Sequence, residues 1–227
     1  MKKMVISLGG SLIIPDKINY QFLEKFKKVL RKHYKTHKFV VVCGGGSIAR
    51  KYIQALKAEN KGKKELSQAG MRATRMNALF ITQFFGKEAN SALPKDMKEV
   101  SRMLEKNNVV FCGALRYASQ ETSDGTAAKL AHFFKTDFIN LTNVPGLFTS
   151  NPLTSKNAKF IPRESWKKFE SRALKMKFKA GQHFVLDQEA AILIKKHKIK
   201  TYILGPNLSN LDKVLRGKPF IGTLISG

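Results

Sequence analysis

The sequence predicts an α/β fold with a central, mostly parallel sheet and helices on both of its faces. Two observations carry this. Short β-branched runs recur at residues 4–8, 39–43, 109–112, 138–142 and 201–204, and most are apolar throughout instead of alternating, as strands buried on both faces must be. Between them lie helical patterns at 20–33, 47–58, 73–85, 125–135 and 188–196, so that strand and helix alternate along the chain. Two stretches break the rhythm: 60–68 is polar and lysine-rich, and 143–162 carries Pro145, Gly146, Pro152 and Pro162. Both are expected to be surface loops. No fixed-period repeat or low-complexity tract is present, which excludes solenoids and disordered arrays.

With 227 residues, 43% of them hydrophobic and 16 of them Phe, the chain suits one compact domain over 1–227. No apolar run approaches the roughly 20 residues a membrane span needs, and the basic start Met1-Lys2-Lys3 is not followed by a signal-peptide core. Cys43 and Cys112 each close an apolar run and precede glycine, which suits small buried groups at strand ends better than a disulfide. A cytoplasmic setting is expected. The formal charge is +26, from 42 Lys and Arg against 16 Asp and Glu, so anionic partners are expected. The basic residues are spread over many helical segments, without zinc-finger spacing or an aromatic RNA-binding motif. They read as solvated faces able to bind polyanions non-specifically and salt-sensitively. The five histidines show no ligand spacing, and no structural metal is expected.

Chemistry is concentrated in glycine loops. Ser7-Leu8-Gly9-Gly10-Ser11 ends the first strand in paired glycines and a hydroxyl, which lets backbone amides approach an anion. Val42-Cys43-Gly44-Gly45-Gly46-Ser47-Ile48-Ala49-Arg50 joins a buried strand to a helix, where amides, helix dipole and Arg50 all favour phosphate. Loops at the carboxyl ends of neighbouring parallel strands share one crevice, so both can grip one anionic system. Neither has the spacing of a P-loop or a dinucleotide fingerprint. Glu121-Thr122-Ser123-Asp124-Gly125 sets hydroxyls and a carboxylate before a helix, and Asp187 precedes another. Each is open to two readings, a helix cap or a site carboxylate.

Taken in order, Leu8-Gly9-Gly10-Ser11, Gly44-Gly45-Gly46 with Ala49-Arg50, Thr74-Arg75-Met76-Asn77-Ala78, Thr122-Ser123-Asp124, Thr142-Asn143-Val144, Ala180-Gly181 with Val185 and Asp187, and Gly222-Thr223 resemble the amino acid kinase superfamily. Within it the chain is most similar to archaeal-type uridylate kinases, over nearly its whole length. The resemblance implies a three-layer sandwich and transfer of the γ-phosphoryl group of ATP to UMP with Mg²⁺, in line and without a covalent enzyme intermediate. It places ATP against Ser7, Gly9, Gly10, Ser11, Gly46, Arg50, Thr142, Phe148 and Asn151, and UMP against Gly45, Ser67, Ser119, Gln120, Glu121, Thr122 and Ser123. Asp124, Arg50 and Asp187 are the implied catalytic groups, with Asp124 orienting the surrounding donors. It also implies a hexamer built from dimers, with Arg75 and Asn77 near the nucleotide site and the subunit contact.

The departures are specific. Ser7 stands where relatives commonly have Lys or Asp, Ser47 where many have Lys, Ser67 where a uridine-contacting Asp is usual, Pro145 and Asn151 where acidic residues are usual, and Glu121 where His often stands. A sister kinase for another small phosphate or carboxylate, such as isopentenyl phosphate, is the alternative enzyme. Those kinases commonly carry a His beside the second glycine loop, which Ser47-Ile48-Ala49-Arg50 lacks. A nucleotide-binding protein of the same fold without turnover is the alternative of a different class.

Overall fold

The computed structural model of the chain describes residues 1–115, 122–150, 152, 155–175 and 185–227. In chain order its elements are β1 (Lys2–Leu8), α1 (Gly10–Ile13), α2 (Tyr20–His33), β2 (His37–Cys43), α3 (Gly46–Ala58), α4 (Lys63–Phe85), α5 (Met97–Lys106), β3 (Val109–Cys112), α6 (Ser123–Phe133), β4 (Phe138–Leu141), β5 (Leu147–Phe148), β6 (Phe160–Ile161), β7 (Arg163–Glu164), α7 (Trp166–Lys175), α8 (Gln188–Lys196), β8 (Thr201–Leu204), α9 (Ser209–Leu215) and β9 (Thr223–Ile225). The main sheet has the order β3-β2-β1-β4-β8-β9-β7. Strands β3, β2, β1, β4 and β8 are mutually parallel, and β9 runs antiparallel to β8.

The buried side chains of the strands divide by parity, as a pleated strand requires. Ile6, Leu8, Phe39, Val41, Phe111 and Leu141 pack on one face against Leu23 and Phe26 of α2, Ile81 and Phe85 of α4 and Leu211 of α9. Val5, Val40, Val42, Val110 and Phe138 pack on the other against Val100 of α5, Leu130 of α6, Phe169 of α7 and Ile194 of α8. This is the expected three-layer sandwich. All five strands predicted from the apolar runs are present, and Cys43 and Cys112 are free, buried and last in their strands.

Three expectations fail locally. Residues 60–68 are not a loop throughout: α4 starts at Lys63, directly after Gly62. Its first turn is exposed, so no apolar period marks it, yet Lys and Glu are good helix formers. Segment 143–162 is not only loop, since β5 and β6 pair there as a two-stranded hairpin and Leu147 is buried. Finally, α6 begins at Ser123 and its cap is Thr122, whose Oγ1 accepts from the Gly125 amide at 3.0 Å. Asp124 is thus inside the first turn and is not the cap.

Candidate active site

The carboxyl ends of β1, β2 and β4 meet at the two glycine loops. Gly44 N–H donates to the Leu8 carbonyl and Gly9 N–H to the Leu141 carbonyl, each at 2.9 Å, so both loops continue the sheet beyond its last residues. They then interlock. A Cβ on Gly10 would stand 2.0 Å from the Gly46 nitrogen, and one on Gly44 would stand 2.5 Å from the Gly10 nitrogen. Only hydrogen fits there, and Gly46 also takes a positive φ of 62° to turn into α3. Asn77 on α4 donates Nδ2–H to the Gly44 carbonyl at 2.8 Å. Thr74, one turn earlier, accepts from the Ala114 amide at 3.0 Å. The Thr74–Asn77 segment therefore braces the chain ends leaving β2 and β3.

Above these loops opens a cavity of about 500 Å³. Of the residues proposed from sequence, Gly9, Gly10, Ser11, Gly45, Gly46, Arg50, Ser123, Asp124, Thr142 and Phe148 line it. Ser7, Thr122 and Asp187 do not line it but form a hydrogen-bonded layer with Asp124. The Ser7 hydroxyl donates to Asp124 Oδ1 at 2.8 Å, the Thr122 hydroxyl donates to Asp187 Oδ2, and Asp187 Oδ1 accepts from the Ala190 amide at 2.8 Å. Asp187 is the cap of α8, as one of its two readings had it, and it lies beside Asp124. Ser67, half-buried on α4, is not among the lining residues. Ser119, Gln120, Glu121 and Asn151 lie outside the described residues.

Burial, then the adjacent Asp187 charge, pushes the Asp124 carboxyl up to about 7, with the Ser7 hydroxyl working against the rise. Burial likewise raises Asp187, against the Ala190 amide and the Thr122 hydroxyl. Two carboxylates in a water-poor site repel one another and favour a proton or an incoming cation between them. Neither has an ion-pair partner among the described residues. Mg²⁺ takes oxygen ligands and is commonly held by one or two carboxylates together with substrate phosphates, and Asp124, open to the cavity, fits that chemistry.

Sequence reading missed several lining residues. Asn140 is a buried amide in the otherwise apolar β4, where it donates Nδ2–H to the Val185 carbonyl. An amide inside a fully buried strand was the signal available. Arg172 and Lys175 of α7 also line the cavity, but nothing in a lysine-rich helix marks which basic residues turn inward.

The sequence profile of the Amino acid kinase family matches residues 2–205. The chain belongs to the amino acid kinase family. It is 31% identical to the uridylate kinase of Thermococcus sibiricus over 225 residues, covering 98% of this chain and 99% of that protein. It is 32% identical to the uridylate kinase of Archaeoglobus fulgidus over 225 residues, covering 99% of this chain and 100% of the relative. The crystal structure of the Archaeoglobus fulgidus uridylate kinase superposes with a TM-score of 0.84 at 31% identity, covering 100% of both chains. The UMP kinase of Bacillus anthracis superposes with a TM-score of 0.79 at 19% identity, which speaks for the fold alone. The amino acid kinase architecture thus accounts for the sheet order and for the placing of both glycine loops at one crevice.

Proposed function

We propose that this amino acid kinase family member is a uridylate kinase that transfers the γ-phosphoryl group of ATP to UMP. The observation that carries this is the interlocked pair of glycine loops sharing one cavity with Asp124, which is backed by Asp187 and has no ion-pair partner among the described residues, in a chain similar end to end to uridylate kinases. Phosphoryl transfer requires little covalent chemistry of a protein; it requires two nucleotides held in line and charge held steady as the phosphoryl group moves. The amides of Gly10 and Gly46 and the guanidinium of Arg50 take the phosphates, while Thr142 and Phe148 bound the adenosine end. Gly45 and Ser123 face the acceptor.

Asp124, fixed by Ser7 and backed by Asp187, orients the donors around the reacting phosphates. Mg²⁺, held by Asp124 together with substrate oxygens, would supply charge neutralisation at the phosphoryl group. Ser47 is buried beside the second glycine loop, and with no His there the isopentenyl-phosphate alternative has no matching group. Assembly into a hexamer, a cytoplasmic location and weak, salt-sensitive polyanion binding accompany the proposal.

The test is a coupled assay of ADP release with UMP, CMP, isopentenyl phosphate or no acceptor. Turnover with UMP far above the others is expected. Turnover preferring isopentenyl phosphate, or none with any acceptor despite nucleotide binding, would reject the reading in favour of the sister kinase or the non-catalytic protein respectively.

A further inference from the structure

Two cations in the cavity have no place in the scheme above. Arg172 and Lys175 lie in the last turn of α7, three residues apart and so on one side of the helix, and both line the cavity. The other basic residues of α7, Lys167 and Lys168, are not among its lining residues.

Basic residues in a last turn ordinarily serve the helix dipole from solvent. Arg172 is held more closely than that purpose requires, because its Nε donates to Glu164 Oε2 at 2.7 Å. The Glu164 side chain is only 6% exposed. It stands on β7, opposite Ile225 of β9, and its Oε1 accepts from the Ser165 amide at 3.3 Å. A buried carboxylate on a sheet strand is a firm anchor. It engages one of the five N–H donors of the guanidinium, and the Arg172 side chain remains 40% exposed. Lys175 is exposed and has no ion-pair partner among the described residues.

The placement is asymmetric in a useful way. Arg50 stands near the start of α3, which follows β2, whereas α7 follows β7 at the far edge of the sheet. The cavity is therefore flanked by cations from both sides, with the glycine amides between and Asp124 the single carboxylate among its described lining residues. Three cations against one carboxylate suit a ligand with several negative charges. In the sheet order β7, which leads into α7, lies on the β4 side of β1, the side from which the lining residues Thr142 and Phe148 come, whereas β2 and β3 lie on the other.

We infer that Arg172, anchored by Glu164 and assisted by Lys175, grips the polyphosphate of the donor nucleotide. This rests on the kinase reading above. Glu164 is a positioning residue that acts through Arg172, and the pair adds a contact on the donor side that depends on the number of phosphates, not on the base.

The experiment is calorimetric titration of the full chain with adenosine, AMP, ADP, a non-hydrolysable ATP analogue in Mg²⁺, and separately UMP, with melting temperatures recorded for every variant. Arg172→Gln is expected to weaken the ATP analogue and ADP by roughly 10-fold or more, as loss of charge-assisted hydrogen bonds should. AMP should weaken less, and adenosine and UMP little. Glu164→Gln should give a smaller loss in the same order, since Arg172 keeps its charge but loses its anchor. If Arg172→Gln fails to fold, Lys175→Gln, at an exposed position, should show the same ordering with smaller size. Equal losses for adenosine and the ATP analogue, or no loss in variants of a wild type that binds nucleotide, would overturn this inference alone. A wild type that binds no adenine nucleotide would overturn it together with the kinase reading.

Discussion

The two ends of the sheet treat their carboxylates in opposite ways. At the end where β2 and β3 begin, Glu88 is bound by Arg31 and stands 3.6 Å from Lys27, and Asp212 meets His33 at 2.9 Å and Arg216 at 3.1 Å. The hydrogen bond from Arg31 holds Glu88 below the usual carboxylate range, and Asp212 is held low as well, against its own partial burial, by His33 and Arg216. At the opposite end Asp124 and Asp187 are more deeply buried and, among the described residues, receive only hydroxyl and amide donors. In a chain with 42 basic residues and 16 acidic ones, two buried acids without an ion-pair partner among the described residues are conspicuous. The comparison teaches that the basic excess does not act evenly: at one end it neutralises Glu88 and Asp212, and at the other it leaves Asp124 and Asp187 without an ion pair among the described residues, available to a charge that arrives from outside.

The substitution that presses hardest on this contrast is Asp124→Asn. Turnover with UMP should fall by about 100-fold or more, since the change keeps the shape and removes the charge that aligns the reacting groups. Because Thr122 and not Asp124 caps α6, the fold should survive, as circular dichroism would report. Full turnover in this variant would move the chemistry to Asp187.

Arg50→Ala comes next. Losing one charge-assisted contact to phosphate, worth about 1.5 to 3 kcal/mol, should weaken nucleotide binding by at least 10-fold with little change in melting temperature. An unaltered affinity would place Arg50 in solvent, apart from the bound nucleotide.

The pH response separates the two ends more quietly. Asp124 has its carboxyl raised to about 7 in the folded chain, against about 4 in an unfolded one. Between those values the unfolded chain has released a proton that the folded chain keeps, so stability falls as pH rises from about 4 and levels off above 7. His37 and His197, both lowered by burial first, pull the other way near pH 6. The clean measurement is therefore the difference in melting temperature between wild type and Asp124→Asn in the absence of Mg²⁺ and nucleotide, which should widen in the variant's favour from pH 5 to 7.5. A difference independent of pH would mean that Asp124 is not under this strain.

At the far end, Glu88→Gln should cost about 1 kcal/mol, the upper end for a surface ion pair, since the Glu88 side chain is half-buried while that of Arg31 is exposed. Its KM values should stay at wild type. A changed KM there would break the separation of the two ends.

How much of this was legible in the sequence follows the same division between backbone and side chain. Continuous apolar runs such as Phe39 to Cys43 announce strands buried on both faces, and glycine clusters announce where backbone must approach backbone. These constraints are local. The start of α4 at Lys63 was hidden because its first turn packs on nothing. The short β5, β6 and β7 were hidden because two residues carry no period. For Asp124 the sequence left a cap and a site carboxylate open, since Thr122, Ser123 and Asp124 can each cap a helix and one residue decides that role; the cap is Thr122. Asn77 and Thr74 show their bracing of the loops only when the helix is docked, and Arg172 is distinguished from its basic neighbours only by its contact with the buried Glu164.

The contact between Gly10, Gly44 and Gly46 has a consequence for how this enzyme can change. The two loops that would carry donor and acceptor are keyed together by main chain, closer than any methyl group allows. Alignment of the reacting partners is then largely independent of the side chains around the rim. Side chains at the rim are free to drift and retune which acceptor enters, while the geometry of transfer stays fixed. Selection on acceptor choice and selection on rate act on different atoms, so one can move without dragging the other.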